Sequence, residues 1–457
     1  MRNNLWPLVI GLILTTTLWA QESPTGAQYS FTLEEAIDFA LENSYEAINA
    51  RRDVAKALKR KWETTADGLP QINGTVDYTN QLKQPVTLIP GEVAGGEPGT
   101  FVPVVFGTQQ QMQLTATLTQ LIFDGSYLVG LEAAKSFLQY TDDVEEKTRL
   151  DVRKGVINSY GSVLVSQEFV NILEENKTTL EKNYEETKKI FENGLAEEEN
   201  VEQIQITLLQ ITNQLDNAKR QAEIALQMFN LTLGLDVQTD TILTDDLDTL
   251  AMKNLDTSIT AKPFILENNV NYRLAELVTE QRRLEMKLEK SRALPSLSAF
   301  VNYGTAAFDN DFVFFESDTR WFQSSILGAS LKIPIFSSLK RNARTQQAKI
   351  ALDQSRTDFT KAQEQIQLQY NSALSDFKQS IANYESARKN LALAERIENK
   401  NQIKYTEGLA TSFDLRQAQL QLYASQQEVL QAKLGIINNK AELETILNIP
   451  DVKPTNN

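Results

Sequence analysis

The sequence predicts an α+β membrane protein with an internal duplication, in which short amphipathic strands contribute to a shared β-barrel and very long helices continue it. Three observations carry this. Landmarks recur about 214 residues apart: Glu192-Asn193-Gly194-Leu195-Ala196 returns as Thr406-Glu407-Gly408-Leu409-Ala410, Leu-Gly-Leu at 233–235 returns as Leu-Asn-Ile at 447–449, and Phe123 answers to Phe336. Helical runs of nearly 70 residues sit inside each copy. Four segments of about ten residues alternate between polar and apolar side chains, strictly so at 111–119. A repeat that mixes these two patterns points to a membrane-spanning duct rather than to an enzyme.

The first 20 residues have the form of a leader. Arg2 supplies positive charge, Leu5 to Leu18 is apolar, and Ala20 is a small residue suited to cleavage before Gln21. The apolar run is shorter than the ~20 residues that a spanning helix needs. No later stretch is a transmembrane helix candidate, so an exported chain that enters a membrane must do so as a β-barrel.

Residues 21–235 form the first repeat. A helix opens at Thr32, which with Glu35 makes a capping box, and runs to about Ala66, ahead of Gly68-Leu69-Pro70. Strands are expected at 70–82 and 109–123, a long helix at 126–193 and a further helix at 197–234. At ~1.5 Å per residue the long helix measures about 100 Å, which no compact core accommodates. Residues 236–262, rich in Asp and Thr, link the repeats. The second repeat, 263–449, opens with a helix from about Leu266 to Ala293. It continues with strands at 295–307 and 323–335, a long helix at 338–407 and a helix at 411–447, and a tail follows at 450–457.

Apolar residues of the shorter helices alternate steps of three and four: Val201, Ile204, Leu208, Ile211, Leu215, Ala218, Ala222, Ala225, Phe229 in one, and Leu415, Ala418, Leu422, Ser425, Val429, Ala432, Ile436, Asn439, Leu443, Ile446 in the other. This is the seam of a coiled-coil pair, and its small residues permit close approach. Helices alone would equally suit a soluble coiled coil.

The strands decide against that. Met112, Leu114, Ala116 and Leu118 oppose Gln111, Gln113, Thr115, Thr117 and Thr119. Ile72, Gly74, Val76 and Tyr78 oppose Asn73, Thr75, Asp77 and Thr79. Leu297, Ala299, Val301 and Tyr303 oppose Ser298 and Asn302, with Phe300 an exception, and Leu327, Ala329, Leu331 and Ile333 oppose Gly328, Ser330 and Lys332. One wettable and one apolar face is the pattern of a barrel with a watery lumen and a lipid-facing exterior. Four strands cannot enclose a channel, whereas three copies supply twelve; the alternative is a small soluble sheet. The loop at 83–107 is long and rich in Pro and Gly. The loop at 308–320 carries Phe312, Phe314 and Phe315, followed by Trp321 and Phe322, which read as an interfacial girdle or, failing a membrane, as the cap of that soluble sheet. All four strand-to-helix junctions lie at one end, so the helices leave on one side of the membrane.

The 457 residues contain no Cys and no His, with 45 Lys and Arg against 60 Asp and Glu, a net charge of -15. Disulfides, thiolate metal sites and thiol or imidazole catalysis are excluded, and no metal site or catalytic constellation is found. The acidic balance argues against nucleic acid.

The duplication, the strand ends Leu-Ile-Phe-Asp-Gly (121–125) and Ile-Pro-Ile-Phe-Ser (333–337), and the Gly-Leu-Ala turns occur in an order that resembles the TolC-like outer membrane efflux family, the outer membrane factors, from Phe31 to Pro450. The resemblance implies a homotrimer, with a twelve-stranded barrel in the outer membrane continued by a helical tunnel in the periplasm. It implies a passive exit duct for a tripartite efflux pump or a type I secretion system, with no cofactor. The partners it implies are outer membrane lipid, a periplasmic adaptor protein and, indirectly, an inner-membrane pump. In it, residues 236–262 belong to a belt midway down the tunnel, and the adaptor docks at the tips, here Gly194, Leu195, Gly408 and Leu409; a Gly that ends a helix is also simply a C-cap. Asp414 matches a lumen-facing acid, so three copies would make a ring of like charges that raise one another's pKa and attract cations. Gln417 stands where a second acid can occur, and Tyr405 matches a gate tyrosine. Ala410 and Asn200 stand where some members pair Arg with Asp, so the expected gate is held by neutral contacts, beside a second tip made acidic by Glu197, Glu198, Glu199 and Glu202. A soluble periplasmic adaptor or scaffold is the runner-up, and a carboxylate-based enzyme has nothing beyond Asp and Glu counts behind it.

Overall fold

The structure, a computed structural model, describes residues 29–449. The expected leader (1–20) and tail (450–457) lie outside the described residues. In chain order the elements are β1 (Tyr29–Phe31), α1 (Leu33–Asn43), α2 (Tyr45–Ala66), β2 (Gln71–Asn80), β3 (Val86–Pro90), β4 (Phe101–Val105), β5 (Gln110–Asp124), α3 (Gly125–Glu192) and α4 (Glu198–Leu233). Then follow β6 (Thr241–Leu243), α5 (Leu247–Asn254), α6 (Val270–Ser291), β7 (Ser296–Asp309), β8 (Phe322–Lys332), α7 (Lys340–Thr406) and α8 (Ser412–Ile446). No helix among the described residues is long and apolar enough to cross a membrane.

The four amphipathic strands form one antiparallel sheet in the order β2-β5-β7-β8, so the two repeats meet at the β5–β7 pair. The register aligns the alternation across strands. Val76 pairs with Leu114 and Leu118 with Val301, which in turn pairs with Leu327. On the other face Thr75 pairs with Thr115 and Thr117 with Asn302. A bulge between Leu121 and Phe123 shifts the register at the base of β5, just before Asp124 caps α3 through the Ser126 and Tyr127 amides.

Below the sheet the helices form a curtain. Near the strands the neighbours run α2, α3, α6, α7; farther away they run α4, α3, α8, α7. The 68-residue α3 and 67-residue α7 pass through both levels, each about 100 Å long, while α2 over α4 and α6 over α8 fill the tiers beside them. No residue of the two heptad seams is exposed, and Ile204, Ile211, Leu215, Leu415, Val429, Ile436 and Leu443 are buried. The largest core lies where the tiers meet, with Tyr160, Phe229, Leu233 and Ile437 inaccessible to solvent.

Three expectations are corrected, and the linker gains detail. The helix expected from Thr32 to Ala66 is two helices, because Ser44 is extended (φ -63°, ψ 148°) and caps α2 through the Ala47 amide. Gly234 (φ +83°) sits against that break, where a Cβ would fall 2.3 Å from the Asn43 carbonyl oxygen, so the approach of α4 to the α1–α2 corner demands glycine. The loop at 83–107 contains the hairpin β3–β4, closed by a 3-10 turn at Gly91–Ala94. Strand β8 stops at Lys332 instead of residue 335, ahead of Pro334, which has no amide to donate to a ladder. The linker holds β6 and α5, and β6 pairs in parallel with β1; two three-residue strands are too short to show a period.

The duplication extends to hydrogen bonds. Helices α3, α4, α7 and α8 all end in a left-handed residue: Gly194 (φ +74°), Gly234, Gly408 (φ +71°) and Asn448 (φ +58°). Each is followed by an amide that bonds back five residues, Leu195 to Ile190, Leu235 to Asn230, Leu409 to Lys404 and Ile449 to Glu444.

Candidate functional site

The end of the curtain away from the sheet carries two equivalent turns, α3 to α4 and α7 to α8. At each, the left-handed glycine reverses the chain and thrusts the next side chain outward, leaving Leu195 and Leu409 79% and 78% exposed. The turns differ in how the following helix starts. Thr411 caps α8 in a capping box: Asp414 accepts from the Thr411 amide (3.0 Å) and hydroxyl (2.7 Å). These bonds, with Lys404 nearby, hold the exposed Asp414 carboxyl below the usual range. Glu197, at the equivalent position of α4, makes no side-chain cap.

Between the turns, the two repeats are joined by a seam of neutral hydrogen bonds. Asn176 donates to Gln426 (2.9 Å), and Asn183 and Gln402 exchange amide bonds (3.1 and 3.3 Å). The Thr187 and Tyr405 hydroxyls share a bond of 2.9 Å. Ser412 donates to Asn200 (2.5 Å), with the Gln203 carbonyl 3.1 Å away. Asn176, Asn183, Thr187 and Ser412 are buried, so each broken rung strands a polar group. Ion pairs between repeats, such as Arg153–Glu444 and Lys154–Glu442, lie higher on the curtain. Beside the seam, burial raises the Glu398 carboxyl, and burial together with Glu398 pushes Tyr423 up.

Of the residues singled out by sequence, Tyr405 and Asn200 lie in this seam, Asp414 flanks it as a cap, and Gln417 is exposed one turn along α8. Asn183, Thr187, Gln402, Gln203 and Ser412 were missed. A signal existed: Leu173, Asn176, Leu180, Asn183 and Thr187 follow three-four spacing, and polar residues at buried heptad positions mark a specified pairing.

The aromatic residues divide. Phe314 is buried over Met112 and Ala307 with Trp321 beside it, and Phe312 packs edge-on against Tyr78 (5.4 Å) and Phe314 (5.5 Å), with Phe315 at 5.8 Å. The loop thus folds back over the apolar face of the sheet. Phe322 falls on the opposite, polar face by register and contacts Phe308 there.

The sequence model of the family described as Outer membrane efflux protein matches residues 36–235 and 264–448, one segment per repeat. No curated protein matches the sequence. Among solved structures, the Vibrio cholerae outer membrane protein VceC is 15% identical and covers 91% of this chain and 95% of its own, at a TM-score of 0.70. The Campylobacter jejuni CmeC outer membrane channel is 16% identical (91% and 85% covered, TM-score 0.71). The open state of the Neisseria gonorrhoeae MtrE outer membrane channel is 16% identical (93% and 91% covered, TM-score 0.70).

Proposed function

The chain belongs to the outer membrane efflux protein family, and from that premise we propose that three copies close one twelve-stranded barrel and act as a passive exit duct. The observation that carries this reading is that both edges of the sheet, β2 and β8, are unpaired among the described residues. An amphipathic four-stranded sheet can neither enclose a lumen nor leave its edges unpaired in lipid. Setting β8 of one copy beside β2 of the next is a heterologous contact that a threefold axis closes. The helical curtain has matching edges: α7 on one side, α2 and α4 on the other. Exposed apolar residues on those edges, Leu368, Leu393 and Ile403 on α7, Leu209 and Met228 on α4, and Trp62 on α2, would then be covered.

In this duct the neutral seam holds the two helical hairpins of each copy together at the tip, and widening the tip requires breaking it. The Gly194-Leu195 and Gly408-Leu409 turns offer exposed apolar knobs to a periplasmic adaptor, which couples the duct to an inner-membrane pump that supplies the energy. The duct itself performs no chemistry and needs no cofactor. The aromatic loop over the apolar face lies at the outer lipid boundary.

The test is the oligomeric mass of the leader-cleaved protein with and without detergent. A trimer that leaves the membrane only with detergent supports the shared barrel. A water-soluble monomer would mean that the sheet edges are satisfied otherwise and would overturn the duct.

A further inference from the structure

The polar face of the sheet is uniformly polar on the first repeat and mixed on the second. On β2 and β5 it carries Asn73, Thr75, Asp77 and Thr79, then Gln111, Gln113, Thr115, Thr117 and Thr119. Followed across the β5–β7 and β7–β8 pairs, the same face changes character. Thr119 leads to Phe300 and Gly328, Thr117 to Asn302 and Ile326, Thr115 to Gly304 and Ser324, Gln113 to Ala306 and Phe322, and Gln111 to Phe308, so one polar row, Gly304-Ser324, divides the apolar residues into a lower and an upper group. The β7–β8 register is unbroken over this stretch, so no bulge has turned these residues around. On the opposite face at the same level β8 carries Gln323 and Ser325, the reverse of a simple inside-outside rule.

The apolar residues are also built in. The Phe300 ring lies so close over Gly328 that an added Cβ would come within 2.4 Å of it. The Phe308 and Phe322 rings are 6.1 Å apart, and the Arg320 guanidinium stands 5.0 Å from the centre of the Phe322 ring. From Phe300 to Phe308 the stripe climbs about 27 Å of strand. Asp77 shares its cross-strand row, Asp77-Gln113-Ala306-Phe322, with the upper part of the stripe.

We propose that Phe300, Ile326, Phe322 and Phe308 form an apolar contact stripe on the lumen wall, and that with Asp77 it engages exported organic cations that carry an aromatic or apolar body. This rests on the duct reading above. Three copies would alternate three hydrogen-bonding walls with three mixed walls that carry the apolar side chains. A bulky cation can shed water from its apolar body against Phe300, Ile326 and Phe308 while its charge is drawn toward Asp77 on β2, whereas a small hydrated cation gains nothing from the stripe.

The experiment uses the full-length trimer in planar bilayers, with tetraphenylphosphonium as probe and tetramethylammonium as control. Tetraphenylphosphonium is expected to reduce the potassium current and tetramethylammonium is not. The double variant Phe322→Ser, Ile326→Ser should raise the half-blocking concentration about ten-fold, as loss of aromatic contact of this kind implies. Asp77→Asn should weaken block in the same direction. Equal block in the parent and the double variant overturns the stripe. Because the chain has no Cys, Ile326→Cys and Thr115→Cys provide a second readout with a water-soluble thiol reagent. Labelling of both positions, with tetraphenylphosphonium protecting Ile326→Cys, supports the proposal. Labelling at 115 without labelling at 326 overturns the stripe and leaves the duct standing. No labelling at either, with no conductance, overturns the duct and the stripe with it.

Discussion

Removing the Tyr405 hydroxyl tests whether the inter-repeat seam governs the tip. Tyr405→Phe deletes one partner of a 2.9 Å bond whose other partner, Thr187, is 1% exposed. The ring and its packing remain, so the loss is that of a neutral hydrogen bond, about 1 kcal/mol per copy. If the three copies open together the loss is about 3 kcal/mol, which multiplies the open-to-closed ratio roughly 150-fold; if they open singly, each step changes about five-fold. The assay is single-channel recording of the purified trimer, reading open probability and closed dwell times. Thr187→Val should have the same effect, and the double variant should do no more than either single one, since both remove one bond. Gln402→Ala, which breaks the reciprocal amide pair with Asn183, should shift the balance at least as far. Because the rungs are neutral, the parent's open probability should change little with salt. Unaltered dwell times in Tyr405→Phe and Gln402→Ala, with the trimer intact, would refute the seam as a closure.

Asp414→Asn should speed amide hydrogen exchange over 411–415, because a weaker acceptor replaces a carboxylate cap. The folded-state pKa of Asp414 is depressed, so its contribution is present above the unfolded value and is lost as pH falls through the folded one; the parent and variant should converge in acid. If three Asp414 carboxylates ring the lumen, the same variant changes single-channel conductance or cation block, and an unchanged channel removes the ring. Gly234→Ala and Gly194→Ala share a left-handed backbone that costs an alanine about 1 kcal/mol or more, but only the first also drives a Cβ into the Asn43 carbonyl. Thermal melts should therefore show Gly234→Ala clearly the less stable, and equal losses would contradict the close approach. Replacing Leu195 and Leu409 together with Ser should leave the trimer and its conductance intact while weakening pull-down of the periplasmic adaptor, and undiminished capture would remove the tips as the docking surface.

Much of this architecture was legible in the chain because its two periods are long and clean. The strand alternation and the seams of α4 and α8 each repeat often enough to declare their faces without tertiary information. The turns were legible because glycine and asparagine alone sit easily at positive φ, and Gly194, Gly234, Gly408 and Asn448 recur at a constant offset. What stayed hidden was short or non-local. Ser44 interrupts a pattern that is helical on both sides, and Gly234, almost two hundred residues away, packs against the corner it makes. β1 and β6 have too few residues to show a period and exist because they meet each other. The neutral seam needed the fold to bring Thr187 to Tyr405 and Asn200 to Ser412, pairs more than two hundred residues apart. Phe300 read as an exception to alternation until the register set it over Gly328 and aligned it with Ile326 and Phe322. The sequence by itself determined which faces are apolar and where the chain turns, since these follow from local periodicity and backbone sterics. Only the tertiary structure decided which faces meet, because register and partner choice depend on packing between segments that no local pattern connects.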